Sequence, residues 1–186
     1  MATTWPLTTS RLQLRPFEQD DLDAIWAYRR LPEVNVWLGG SNDEHAFRER
    51  FLEPSESLNQ LVVLHEGRLV GDLMLVVKDA WSQREVADRA RATVGVLGWV
   101  IHPDEGGRGL ATEAVNELVR HAFEDVGLRR VIAECFADNV PSWRLMERLG
   151  MRREAHHVLD SLHRDRGWQD EYVYALLADE WGATSS

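Results

Sequence analysis

Cysteine is nearly absent from this sequence, since Cys135 is the single one among 186 residues. An intramolecular disulfide is therefore excluded. Cys135 lies within residues 131–136, whose apolar run between polar neighbours is typical of a strand. We expect a buried structural thiol there rather than a nucleophile, because a reactive cysteine needs surroundings that favour its thiolate.

Long apolar runs are also missing. No stretch approaches the ~18–20 apolar residues that a membrane-spanning helix requires. Residues 1–6 lack the basic region followed by an apolar run that marks a secretory signal. We therefore expect a cytoplasmic protein with no membrane partner.

Basic side chains are outnumbered by acidic ones. The chain has 21 Lys and Arg against 31 Asp and Glu, which gives a formal net charge of −10. Because neutralisation of phosphates dominates nucleic-acid binding, this excess argues against a nucleic-acid partner. It favours a cationic substrate, such as an amine or a basic peptide.

The remaining composition is that of an ordinary globular chain. Hydrophobic residues make up 44% and charged residues 28% of the sequence, and both fractions are usual for a folded domain. A length of 186 residues fits one domain, and the sequence shows no internal repeat and no low-complexity linker. We predict a single domain over residues 1–186.

The spacing of apolar residues predicts a mixed α and β chain. The predicted strands are residues 12–16, 58–66, 69–77, 93–101, 130–136, 153–162 and 170–177. The predicted helices are residues 22–29, ended by Pro32, a second from Asn42 or Asp43 to Leu52, then 110–123 and 141–149. Residues 78–91 form a polar excursion that lengthens a hairpin. This order indicates one sheet covered by helices.

The most informative stretch is residues 99–114, where a predicted strand runs through a glycine-rich turn into a long amphipathic helix. The first backbone amides of a helix have no internal partner, and they point outward with the positive end of the helix dipole. Glycines let the chain approach a ligand closely. The turn therefore predicts an anion site suited to a pyrophosphate.

Several kinds of protein could use such a turn. A Walker A loop is excluded, because it ends in Gly-Lys-Ser/Thr and this turn does not. A dinucleotide fingerprint would start at Gly107, but its third glycine position is Thr112 and its strand lies in the middle of the chain. A nicotinamide- or nucleotide-dependent enzyme and an ordinary strand–turn–helix junction remain as alternatives.

The run from His102 to Ala114, which contains Gly106-Gly107-Arg108-Gly109, resembles the acetyl-coenzyme A loop of the GCN5-related N-acetyltransferases. Residues 139–151, the opening at 9–16 and the ending at 172–181 are similar to the RimJ/RimL type, the ribosomal-protein N-terminal acetyltransferases. These segments follow one another in the family's order. The resemblance implies an α+β fold with a central, mostly antiparallel, splayed sheet of about seven strands, flanked by about four helices.

The resemblance also implies an activity. It is the transfer of an acetyl group from acetyl-coenzyme A (acetyl-CoA) to a primary amine, by direct attack in a ternary complex. The acceptor is a protein N-terminus or a small-molecule amine such as an aminoglycoside. A catalytically weak module that binds acetyl-CoA is the alternative. A homodimer is possible, and no metal is expected.

Roles for individual residues follow from the same resemblance. The implied cofactor-binding residues are Val100 and Ile101 at the thioester and pantetheine, Gly107, Arg108, Gly109, Leu110 and Ala111 at the phosphates, and Asn139 and Ser142 at the cofactor arm. Ser142 is the implied acid for the departing thiolate. For Arg108 a solvated loop arginine is the alternative, and for Asn139 and Ser142 it is helix capping.

The general base is the remaining catalytic role. His157 is a candidate because histidine titrates near neutral pH and can relay a proton through water. His156, Asp160 and Asp72 lie on predicted strands and are further candidates.

Three positions depart from the family pattern. Gly106 stands where the loop usually has Gln or Arg, so we expect the backbone cradle to persist without that side chain. Met146 stands where many relatives have a tyrosine that protonates the thiolate. Val96 or Leu97 stands where many RimJ-like relatives have a glutamate.

Overall fold

The computed structural model describes residues 4–40 and 42–184. The chain forms two compact units. The first unit comprises Met1–Leu75 and Gly98–Leu118, and the second comprises Val76–Leu97 and Val119–Ser186. The single domain over residues 1–186 stays a prediction. Within the described residues, no helix is both long enough and apolar enough to cross a membrane.

Eight strands and seven α-helices are present in the described part of the chain. The strands are β1 Leu7–Thr8, β2 Leu12–Pro16, β3 Gln60–His65, β4 Arg68–Lys78, β5 Val94–Ile101, β6 Arg130–Phe136, β7 Arg152–His163 and β8 Gly167–Leu177. The helices are α1 Leu22–Arg29, α2 Pro32–Asn35, α3 Glu44–Leu52, α4 Pro54–Ser57, α5 Leu110–Arg120, α6 Val140–Arg148 and α7 Ala178–Thr184.

The strands follow the order β1-β2-β3-β4-β5-β6-β8-β7 in one sheet. The β5–β6 ladder is parallel, whereas β2 with β3, β3 with β4, and β8 with both β6 and β7 are antiparallel. The mixed α+β, mostly antiparallel architecture is thereby confirmed. The eighth strand is β1, whose two residues are too few to produce an alternating pattern.

In the first unit, α1 and α3 pack their apolar faces onto the sheet. The buried cluster contains Leu22, Ile25, Tyr28, Phe47, Phe51, Val62 and Val100. Its helical members recur at intervals of three and four residues, which places them on one face of each helix. Asp43 begins α3 by accepting a hydrogen bond from the Ala46 amide at 2.9 Å. Pro32 follows α1 as predicted, but it also opens α2 at the first helical position, where a proline loses no hydrogen bond.

In the second unit, β8 pairs with β6 on one side and β7 on the other. The β7–β8 hairpin is longer than predicted, because its turn is short and places Gly167 at a φ of 73°. Strand β7 carries register shifts between Arg153 and Ala155 and between His157 and Ser161. A π-turn at His121–Asp125 extends α5, and Gly127 follows it at a φ of 81°, a conformation in which glycine commonly ends a helix.

The polar excursion is present between β4 and β5. It contains a 3₁₀ turn at Arg84–Ala90 with no buried residue, and the Trp81 side chain is 92% exposed. Its two ends are joined by backbone hydrogen bonds from Ala80 to Ala90 at 2.9 Å and from Thr93 to Lys78 at 3.2 Å.

Candidate functional site

The junction between β5 and α5 is a tight backbone turn in the first unit. His102 donates its amide to the Val70 carbonyl at 2.8 Å, and its Nδ1 accepts from the Asp104 amide at 3.2 Å. Gly107 and Gly109 then adopt φ values of 73° and 77°. A side chain is costly in this left-handed region, which explains why the turn needs glycine at both positions.

Helix α5 leaves its first amides available. The Glu113 amide donates to the Gly109 carbonyl at 3.1 Å, as the first bond of the helical ladder. Within the described residues, no backbone acceptor is present for the amides of Gly107, Arg108, Gly109, Leu110 and Ala111. Amides at a helix N-terminus that lack partners can bind an anion. These five residues stay predicted cofactor ligands, and their geometry fits a phosphate group.

The Arg108 side chain is half exposed but is anchored within the loop. Its guanidinium pairs with the carboxylate of Glu105, which is only 4% exposed and also contacts Arg68. A buried carboxylate is tolerated when two guanidinium groups satisfy it. Arg108 stays a predicted phosphate ligand, with a solvated loop arginine as the alternative, and Glu105 offsets the positive charge that Arg108 brings to the turn. Glu105 is a further residue of this turn, and no motif or spacing in the sequence marks it.

A second carboxylate, Glu113, lies in the first turn of α5. It accepts hydrogen bonds from the hydroxyls of Thr9 at 2.5 Å and Ser10 at 3.0 Å, and from the Arg11 amide at 3.0 Å and Nε at 2.7 Å. Burial acts to raise the pKa of Glu113, but hydrogen bonds from Thr9, Arg11 and Ser10 outweigh burial and lower the pKa to about 2. The carboxylate is thus ionised at neutral pH.

Strand β5 ends with Val100 and Ile101, the residues predicted at the thioester and pantetheine. Gly71 on β4 permits a close approach here, since a Cβ at this position would lie 2.6 Å from the Val100 carbonyl oxygen and 2.5 Å from Ile101 Cδ1. Val100 is buried and Ile101 half-buried. Because both side chains are apolar, we expect these residues to contact the thioester and pantetheine through their backbone amides. That role stays a prediction.

Asp72, a candidate base, is committed to an ion pair. The Asp72 side chain is 1% exposed and accepts hydrogen bonds from Tyr28 Oη and from Arg29 Nε, the latter at 3.0 Å. Burial and the charge of Asp72 hold the pKa of Tyr28 well above its ordinary value. This pairing of α1 with β4 argues against Asp72 as a general base.

In the second unit, Asn139 begins α6. Its carbonyl accepts from the Ser142 and Trp143 amides at 3.1 and 3.3 Å, but its side chain makes no capping hydrogen bond. Side-chain capping therefore does not account for Asn139. Ser142 lies one helical turn before Met146 on the same face of α6, and Met146 is fully buried.

Cys135 is half-buried on β6 and hydrogen-bonds with Ser142. Burial raises the pKa of its thiol to about 11, with Ser142 opposing and Glu171 adding to the rise. The thiol stays protonated at neutral pH, which argues against a nucleophilic role.

His157 lies exposed on β7, at a β-bulge. Its Nδ1 is 3.6 Å from a carboxylate oxygen of Glu171 and 3.8 Å from one of Asp160. These three residues bring potential metal ligands within 4.8 Å of one another, although exposed acidic groups commonly lie together without a metal. His156 contacts Asp170 through Nε2 at 2.6 Å. His157 stays a predicted base.

Comparison with known proteins identifies the family. The acetyltransferase (GNAT) domain family matches residues 11–152. The uncharacterized N-acetyltransferase YnaD of Bacillus subtilis is 28% identical over 179 residues, covering 94% of this chain and 98% of YnaD. The putative ribosomal N-acetyltransferase YdaF of the same organism is 32% identical over 119 residues, covering 64% of this chain and 59% of YdaF.

A solved structure gives the same result. The crystal structure of a GNAT-family acetyltransferase from Bacillus anthracis is 30% identical in sequence and superposes with a TM-score of 0.77. The superposition covers 94% of this chain and 99% of the other. The family match spans β5, the glycine turn and α5, the elements that form the candidate anion site. The protein therefore belongs to the GNAT family of acetyltransferases, enzymes that take their acetyl group from acetyl-CoA.

Proposed function

We propose that the protein acetylates a primary amine by direct attack in a ternary complex with acetyl-CoA. The observation that carries this proposal is the turn before α5, where two left-handed glycines present five amides without backbone partners among the described residues. Bound there, acetyl-CoA supplies the acetyl group as a thioester. The high pKa of Cys135, about 11, supports direct transfer, because no thiolate is available for an acyl-enzyme.

In this proposal the two ends of the β5–α5 junction have separate tasks. The amides of Gly107 to Ala111 bind the phosphates, and the positive end of the α5 dipole adds to that attraction. The backbone amides of Val100 and Ile101 contact the pantetheine and polarise the thioester oxygen as it gains negative charge. Neither task needs a charged side chain, which agrees with Gly106 in place of Gln or Arg.

Proton transfer is assigned to Ser142 and His157. Ser142 donates a proton to the departing thiolate, and Asn139 contacts the cofactor arm. Met146 has no proton to donate and is buried in the core. Ser142 lies one turn earlier on α6, and its hydroxyl can donate the proton instead. His157 removes a proton from the amine through water, because only a neutral amine attacks the thioester.

We further propose that the protein is of the RimJ/RimL type. The partial match to YdaF, named as a putative ribosomal N-acetyltransferase, supports this. The acceptor in this proposal is a protein N-terminus or a small-molecule amine, and the net charge of −10 favours one that is cationic.

The test is a screen for release of free coenzyme A from acetyl-CoA. The acceptors are N-terminal peptides, polyamines, amino acids and aminoglycosides, each compared with hydrolysis in its absence. We expect one class to release thiol well above background, and Ser142→Ala to lower kcat by about 10²–10⁴-fold, the usual contribution of a general acid. The dissociation constant for coenzyme A should change little.

One observation favours a second function, a module that binds acetyl-CoA without turnover. Met146 stands where many relatives carry a proton-donating tyrosine, and it is buried. Tight coenzyme A binding, with thiol release at background for every acceptor and unchanged in Ser142→Ala, would support this module and contradict catalysis.

A further inference from the structure

The position of Glu113 poses an electrostatic problem for the proposed phosphate site. Glu113 lies in the first turn of α5, directly behind the amides of Gly109 to Ala111. An acidic side chain there stabilises the helix, because it interacts with the positive end of the dipole. It also repels any phosphate that would use the same end. An uncompensated Glu113 would therefore oppose the function proposed for this turn.

The connection between β1 and β2 compensates that charge. Hydroxyls of Thr9 and Ser10, the Arg11 amide and the Arg11 guanidinium all donate to the Glu113 carboxylate. Among these donors Arg11 alone carries a charge. Its NH2 lies 2.6 Å from Glu113 Oε2, and the Glu113 side chain is 17% exposed whereas that of Arg11 is 43% exposed. The pair therefore lies near the protein surface, where the attraction between the charges is stronger than in bulk water but weaker than in the interior.

Arg11 also acts on the turn itself. Its NH1 donates to the Arg108 carbonyl at 2.9 Å, which fixes a peptide between the two left-handed glycines. Its NH2 lies 3.6 Å from the place that a Cβ on Gly109 would occupy. A single guanidinium thus contacts both the Glu113 carboxylate and a carbonyl oxygen of the turn.

We infer that Arg11 is a positioning residue for the cofactor's phosphates: it neutralises Glu113 and fixes the Arg108 peptide, so that the N-terminus of α5 can accept an anion. This inference rests on the proposed function. Arg108 cannot replace Arg11 in this role, because Glu105 already pairs with its guanidinium. The charge at the turn therefore comes from a segment about 100 residues away in sequence.

The experiment measures the dissociation constant for coenzyme A by calorimetry in the full-length protein. We expect Arg11→Ala to raise it about tenfold, the scale of one unpaired charge several ångströms from an anion near a protein surface. The double variant Arg11→Ala, Glu113→Gln removes the carboxylate's charge as well. It should recover at least half of the loss on a logarithmic scale, although the Arg108 peptide is no longer held.

A matched control separates positioning from stability. Arg15 on β2 forms a bidentate pair with Asp21, with both distances at 2.7 Å, and it lies in the same unit away from the turn. Arg15→Ala should lower the melting temperature as Arg11→Ala does, but leave coenzyme A affinity at the wild-type value.

The outcomes are distinguishable. Wild-type affinity in Arg11→Ala, or a double variant no better than the single one, would overturn the inference and leave the proposed function standing. Equal losses in Arg15→Ala and Arg11→Ala would also overturn it, because the effect would then be general. Absence of coenzyme A binding by the wild-type protein would overturn the proposed function, and the inference with it.

Discussion

Single glycines in this protein have a conformational role that can be separated from ligand binding. Gly109 in the turn before α5 has a φ of 77°, and Gly67 in the β3–β4 hairpin has a φ of 76°. Adding a Cβ costs roughly 1–2 kcal/mol at either position, because both lie in the left-handed region. Of these two glycines, only Gly109 belongs to the predicted phosphate-binding turn.

We therefore expect Gly109→Ala and Gly67→Ala to lower the free energy of unfolding by similar amounts, while only Gly109→Ala weakens coenzyme A binding. Urea unfolding and calorimetry of the two variants make the comparison. Equal affinity of both variants for coenzyme A would mean that the turn is not the phosphate site.

The Cys135 thiol gives a prediction on pH. Its pKa in the folded protein is about 11, above the ordinary value of 9.0. Between these values the unfolded chain releases the proton while the folded chain keeps it, so stability falls as pH rises from about 9 to 11. Cys135→Ala removes this contribution. Urea unfolding across that range should show a smaller loss of stability in Cys135→Ala than in the wild type, and parallel curves would contradict the assignment.

At the scale of secondary structure, local sequence patterns predict the bounds of several strands, but they do not predict which distant side chains contact one another. Strands β2 and β6 match the sequence prediction at both ends, because apolar alternation and flanking turn residues mark them clearly. The glycine turn was likewise readable from its residues. The contact of Arg11 with Glu113 was not, since it joins positions 102 apart and no periodicity links them.

The attachment of α1 to β4 is a second feature that the sequence did not reveal. Tyr28 and Arg29 both donate to the buried Asp72. Removing one partner of a buried ion pair leaves a charge without compensation, which costs roughly 3–5 kcal/mol. We expect Asp72→Ala to destabilise the protein by about this amount, and Tyr28→Phe, which removes one hydrogen bond, by about 1–2 kcal/mol.

Enzyme kinetics separate this structural role from catalysis. If Asp72 is structural, Asp72→Ala should show the wild-type pH profile of kcat. The profiles are measured at a temperature at which both proteins are folded. Loss of a titration from that profile, with stability unchanged, would restore Asp72 as the base.

For the whole molecule, the family assignment makes cofactor choice the decisive property. The glycine turn by itself suits any pyrophosphate, so the sequence left nicotinamide and nucleotide ligands open. The family match across residues 11–152 selects acetyl-CoA among them. The match extends from β2 to the start of β7 and so includes many elements beyond the glycine turn. The match selects the acetyl donor and does not select the acceptor.

Thermal unfolding with added ligand tests that choice directly. A ligand that binds only the folded state adds about 2.7 kcal/mol at 100 times its dissociation constant. For a chain of this length each kcal/mol moves the melting temperature by roughly 2–4 °C. We expect acetyl-CoA and coenzyme A to raise it by about 5–10 °C, with NAD and ATP giving little. A rise with NAD or ATP alone would contradict the assignment of the turn, whereas a rise with coenzyme A that is lost in Gly109→Ala and kept in Gly67→Ala would place its phosphates there.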